Sequence, residues 1–82
     1  MAQVRLRLFA GAREAAGTAQ DEFEAGTLGD VIAQARGAYG EPFVSVLGTA
    51  RVWVNGDEPN HGDATVMRDD DEVAVLPPVS GG

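Results

Sequence analysis

Apolar and polar residues alternate along Val4-Arg5-Leu6-Arg7-Leu8-Phe9, putting Val4, Leu6 and Leu8 on one face and the arginines on the other. A period of two is the pattern of a half-buried strand. The segment Ala10 to Ala16 fits a short helical turn stopped by Gly17. Gln20-Asp21-Glu22-Phe23-Glu24-Ala25 alternates again, with Phe23 inward and Glu22 and Glu24 toward water. Two strands this near in sequence predict an antiparallel pair. Thr27-Leu28-Gly29-Asp30 has the form of a helix start, a capping hydroxyl followed three residues later by a carboxylate. Leu28, Val31, Ile32, Ala35 and Tyr39 then recur at helical spacing and make one apolar stripe. Gly37 and Gly40, followed by Pro42, predict its end.

The apolar patch Phe43 to Leu47 fits either a second short helix or a covering loop. Arg51-Val52-Trp53-Val54 reads as a strand closed by Asn55-Gly56, the strongest two-residue hairpin signal. Residues 57–71 are polar and loop-like, broken by Pro59 and Gly62, and Glu72 to Leu76 is a last strand ended by Pro77-Pro78. The order strand, strand, helix, strand, short strand, strand predicts an α+β domain, a mixed sheet packed on one main helix. The expected division is a folded domain over 1–76 and an extended tail over 77–82.

A chain of 82 residues supports one hydrophobic core, and 44% hydrophobic content suits a globular domain. So small a core leaves little room for a ligand cavity, and a self-contained active site is not expected. The net charge of −7 argues against nucleic acid and anionic membranes as partners, since both need a positive surface. Such acidity suits a basic protein partner, or serves solubility. All six basic residues are arginines, so no internal ε-amine can form a Schiff base or accept an isopeptide bond. Without cysteine there is no disulfide and no thiolate chemistry, and with a single histidine no zinc or other metal site is expected. No stretch has the length of a membrane helix and the start lacks a signal-peptide core, which predicts a cytoplasmic protein.

Catalytic candidates are few. His61 stands in a polar stretch with no nucleophile beside it, and reads as a loop histidine. Asp69-Asp70-Asp71-Glu72 lacks the alternate spacing of a calcium loop and reads as a solvated turn. Gly26 and Gly29 form no phosphate-binding loop, and Tyr39 and Trp53 occupy expected core positions. What remains is Pro77-Pro78-Val79-Ser80-Gly81-Gly82. Two prolines cannot continue a ladder and hold the chain extended, and six residues span roughly 20 Å. Gly81-Gly82 is the slimmest backbone, able to thread a tunnel that excludes any Cβ, and glycine has no stereocentre to lose when its carboxylate is activated. The plain alternative is a frayed end that happens to carry two glycines.

Leu8-Phe9-Ala10 with Arg13-Glu14, then Val54-Asn55-Gly56, then Asp71 to Gly82 together resemble the small subunit of molybdopterin synthase, within the MoaD/ThiS group of ubiquitin-like sulfur carriers. The likeness runs the length of the chain, and Leu-Pro-Pro-Val-Ser-Gly-Gly is its most specific part. One departure is visible: members usually have Gly-Asp-Glu-Val where this chain has Asp70-Asp71-Glu72-Val73, which is expected to change the turn at Asp70. The resemblance implies a β-grasp fold and a carrier that is not an enzyme on its own and binds no cofactor. A ubiquitin-activating-like adenylyltransferase would use ATP to adenylate the Gly82 carboxylate, and a persulfide donor would convert it to a thiocarboxylate. The tail, Pro77, Pro78, Val79, Ser80, Gly81 and Gly82, would insert into the large subunit, where sulfur passes to a pterin precursor. Phe9, Arg13 and Leu76 would form the docking face, and the assembly would be a heterotetramer.

Other readings stay open. A carrier for thiamine, cysteine or thiolated tRNA shares the tail, though thiazole carriers tend to lack the Leu-Pro-Pro-Val segment. A ubiquitin-like modifier, joined through Gly82 to lysines of targets, shares both fold and tail. An interaction domain with an inert tail is the bland alternative.

Overall fold

The computed structural model of the protein describes residues 1–78. The elements are β1 (Ala2–Leu8), α1 (Ala10–Ala16), β2 (Gln20–Ala25), α2 (Leu28–Tyr39), α3 (Glu41–Leu47), β3 (Arg51–Val54) and β4 (Glu72–Leu76), with one 3-10 turn at Gly62–Ala64. The strands form one sheet in the order β2-β1-β4-β3. β1 runs antiparallel to β2 and parallel to β4, while β3 is antiparallel to β4. The first and last strands thus lie side by side at the centre. A parallel pair needs a long crossover, which everything from β2 to β3 supplies.

Val4, Leu6 and Leu8 of β1 and Val73 and Val75 of β4 are buried with Leu28, Val31, Ile32 and Ala35 of α2. Phe43 of α3 is 0% exposed, so the ambiguous apolar patch is a helix that plugs the core. Tyr39 packs edge-on against Phe23 and Phe43, with ring centroids 6.5 and 5.1 Å away. Its hydroxyl donates to Asp21 Oδ2 at 2.7 Å. Burial, then this hydrogen bond and the Asp21 charge, push the Tyr39 phenol well above the usual tyrosine range.

The helix start is built as the sequence predicts. Thr27 Oγ1 accepts from the Asp30 N–H at 3.2 Å, and Asp30 Oδ2 accepts from the Gly26 N–H at 3.2 Å. The return bond lands one residue before the cap rather than on it. α2 runs through Gly37 and stops only at Gly40, whose φ is 81°. A single interior glycine costs about 1 kcal/mol, too little to end a helix held by a buried stripe.

The short strand expected between β3 and β4 does not form among the described residues. Asn55 and Gly56 turn the chain with φ of 52° and 84°, but Asp57 makes only one bridge, to Val54. The segment then crosses to the start of α2, where Leu28 N–H donates to Thr65 C=O at 2.9 Å and Met67 N–H to Gly26 C=O at 3.0 Å. Met67, inside a stretch that reads as polar loop, is only 4% exposed.

Candidate functional site

The site implied by the sequence is the end of β4 and what surrounds it. β4 lies between β1 and β3, so ladders on both sides fix where it ends. Val73 and Val75 point into the core, which sends Glu72, Ala74 and Leu76 to the opposite, helix-free face. Leu76 pairs with Arg51 and Ala74 with Trp53. Beyond β1, the Phe9 N–H donates to Val75 C=O at 3.1 Å, so Phe9 continues alongside the end of β4. Ala10 then turns the chain into α1 at a φ of 49°, in the left-handed region. Alternation puts the Phe9 ring on the face opposite Leu8, where the Arg7 guanidinium carbon lies 5.7 Å from its centroid.

The structure therefore brings Phe9 and Leu76 onto one face, at the end of the sheet where Pro77 and Pro78 emerge exposed. Arg13 is exposed on α1, one helical turn after Phe9 and off the sheet. Val79, Ser80, Gly81 and Gly82 lie outside the described residues.

Trp53 corrects the sequence expectation. Val52 and Val54 of β3 pack against the core, so Trp53 between them faces outward beside Ala74. The alternation along Arg51-Val52-Trp53-Val54 is the sequence signal for this outward position. Its indole N–H is buried and meets no acceptor among the described residues. Leu76, Ala74, Trp53 and Phe9 thus make an apolar strip on the outer face.

The charge on this face also differs from the whole. Arg5, Arg7 and Arg51 stand there against Glu22, Glu24 and Glu72, as the strand registers place them. Arg7 and Glu72 approach to 3.8 Å, and Arg51 meets Glu58 at 3.6 Å. Half of the six arginines lie on one balanced face, so the acidity of the chain is carried elsewhere. Charge alone therefore gives no reason to expect a basic partner at this surface.

The acidic run is a clasp. Asp69 Oδ1 accepts from the Gln3 N–H at 2.9 Å. Asp71 Oδ1 accepts from Asn55 Nδ2 at 2.9 Å, and its other oxygen from the Arg68 N–H at 2.8 Å. Asp70 has a φ of 70°, so the turn keeps the left-handed conformation that a glycine would favour, contrary to the expected change. Aspartate is among the few residues that accept it. His61 is exposed and lines an open cleft of about 680 Å³ with Asp57, Glu58, Val66 and Arg68. Among the described residues no group of three metal-ligating side chains comes together.

A mixed four-stranded sheet with a parallel central pair, wrapped on one main helix, defines a ubiquitin-like β-grasp protein. The chain belongs to the ThiS family, whose match spans residues 6–82. It is 35% identical, over 98% of its length and 99% of the relative's, to a molybdopterin synthase sulfur carrier subunit from Chlamydomonas reinhardtii. Small archaeal modifier protein 1 from Methanosarcina acetivorans has a similar structure, at a TM-score of 0.83 and 32% identity, covering 100% of this chain and 98% of that one. A complex of subunits 1 and 2 of molybdopterin-converting factor from Helicobacter pylori matches at a TM-score of 0.74 and 24% identity, covering 98% of this chain and 99% of that one. At that identity the last likeness speaks for the fold.

Proposed function

We propose that the chain is a sulfur carrier, the sulfur-donating small subunit of a molybdopterin synthase, loaded as a thiocarboxylate on Gly82. The full-length likeness to a molybdopterin synthase sulfur carrier subunit carries this reading. Activation begins when a carboxylate oxygen of Gly82 attacks the α-phosphorus of ATP on a separate adenylyltransferase and pyrophosphate leaves. A carboxylate is a poor electrophile, whereas the acyl-adenylate has a good leaving group. Persulfide sulfur then displaces AMP, and a thiol reductant cleaves the sulfur–sulfur bond to free the thiocarboxylate.

The chain's own contribution is to present and position its end. β4, held on both sides, anchors the tail from Pro77 to Gly82, and prolines without N–H groups leave the sheet. Phe9, Leu76, Ala74 and Trp53 supply apolar docking area with Arg7 and Arg51 beside it, and Arg13, exposed on α1, adds a positive charge off the sheet. The catalytic groups belong to the large subunit, with which the chain forms a heterotetramer in the cytoplasm. The test is reconstitution with a large subunit, activating enzyme, ATP, sulfur donor and pterin precursor. Dithiolene product is expected from the intact chain and none from a chain lacking Gly82 that folds normally. Equal product from both would overturn the proposal.

A second reading is a protein modifier, favoured by the likeness to small archaeal modifier protein 1. It predicts higher-mass conjugates in which Gly82 is joined to target lysines.

A further inference from the structure

We propose that Asn55-Gly56 is a modification site, deamidating through a cyclic imide at a rate set by the clasp that the acidic run closes on the Asn55 side chain. The dipeptide holds the two central positions of a tight turn, with Val54 N–H donating to Asp57 C=O at 2.8 Å and Asp57 N–H to Val54 C=O at 3.1 Å. Asn55 is exposed, and a Cβ built on Gly56 would meet nothing within 4 Å. Gly56 is exposed as well, so solvent reaches the turn and no neighbour crowds the Gly56 α-carbon.

The chemistry needs only water. The Gly56 nitrogen, its proton taken by hydroxide, attacks Cγ of Asn55; the new N–C bond closes a five-membered imide while the Cγ–Nδ2 bond breaks and ammonia leaves. Water then opens the imide at either carbonyl, giving aspartate or isoaspartate at position 55.

What opposes this is the side chain's fixed position. Nδ2 donates to Asp71 Oδ1 at 2.9 Å, and Oδ1 accepts from the Glu72 N–H at 2.9 Å. The backbone N–H of Asn55 donates to Glu72 C=O at 2.8 Å, so the whole residue is bound to the start of β4. Cγ cannot swing toward the Gly56 nitrogen until both side-chain bonds break. After conversion, a carboxylate replaces the amide donor and faces Asp71 as a like charge. Isoaspartate further inserts a methylene into the backbone next to the Val54–Val73 pair. The change loosens β4, the strand that carries Leu76.

The experiment incubates the intact protein at physiological temperature and pH, with peptide mapping of the gain of about 1 Da at position 55. Conversion is expected to be slow in the folded wild type, about tenfold faster in Asp71→Ala and fastest in urea, because the rate follows the open fraction. Equal rates in folded wild type and Asp71→Ala, or no conversion at Asn55 even in urea, would overturn the proposal. Should Asp71→Ala fail to fold, wild type at urea concentrations below its unfolding transition takes its place. There the conversion rate is expected to climb with urea, and a flat rate refutes the gate.

Discussion

Replacing Phe9 and Phe43 by alanine, one at a time, separates the docking face from the core. Phe43 is 0% exposed and touches Tyr39 edge-on, so its truncation leaves a cavity and costs about 3–5 kcal/mol. A chain of 82 residues has about 4–12 kcal/mol of stability in total, so Phe43→Ala brings it close to unfolding at room temperature. Phe9 is 38% exposed, and the Arg7 guanidinium carbon lies 5.7 Å from its ring centroid. Its partial burial is worth about 1–2 kcal/mol, and Phe9→Ala should keep the fold. If Phe9 anchors the partner, the same truncation costs about 2 kcal/mol of binding, close to a thirtyfold loss of affinity. Urea unfolding gives the first number for each variant, and calorimetric titration with a large subunit gives the second for Phe9→Ala. Wild-type affinity in Phe9→Ala, or unfolding as severe as in Phe43→Ala, would refute the assignment of Phe9 to a docking face.

Two further outcomes follow from single residues. Ala10 holds a φ of 49°, a region that penalises a Cβ, so Ala10→Gly should stabilise by about 0.5 kcal/mol after the entropy of glycine is set against the relief, seen as a melting point a few degrees higher. Tyr39 has its folded pKa raised above the unfolded value of ~10, so the stability it adds is fully present below that pH and is lost as pH rises through the folded value. Urea unfolding from neutral to strongly alkaline pH should therefore show a loss above about pH 10 that Tyr39→Phe lacks.

Much of the fold is legible because local patterns carried it. The alternation in β1 and β2, the Thr27 cap and the Asn55-Gly56 turn each depend on a few neighbouring residues, and each appears where its residues predict. What escaped depends on distant partners. Nothing local in residues 57–71 announces that Met67 joins the core and bonds back to Gly26, so the segment reads as loop. The parallel pairing of Leu6 with Val73 joins the two ends of the sequence, and periodicity is silent about it. The run of acids reads as a solvated turn because its role, binding Gln3 of β1 and Asn55 in the turn after β3, exists only once the sheet has closed. At the candidate site, the family likeness points to Phe9 and Leu76 and the alternation in β3 turns Trp53 outward, but that Trp53 lies beside Ala74 follows only from the register of β3 against β4.

Whether Gly82 carries sulfur is read from the intact mass of the protein, with a thioacid trap to fix the position. Incubation with the cognate activating enzyme, ATP and a persulfide donor should add about 16 Da, mapped to Gly82, as sulfur replaces one carboxylate oxygen. An unchanged mass after that incubation, with the fold intact, would mean that Gly82 is not a sulfur carrier.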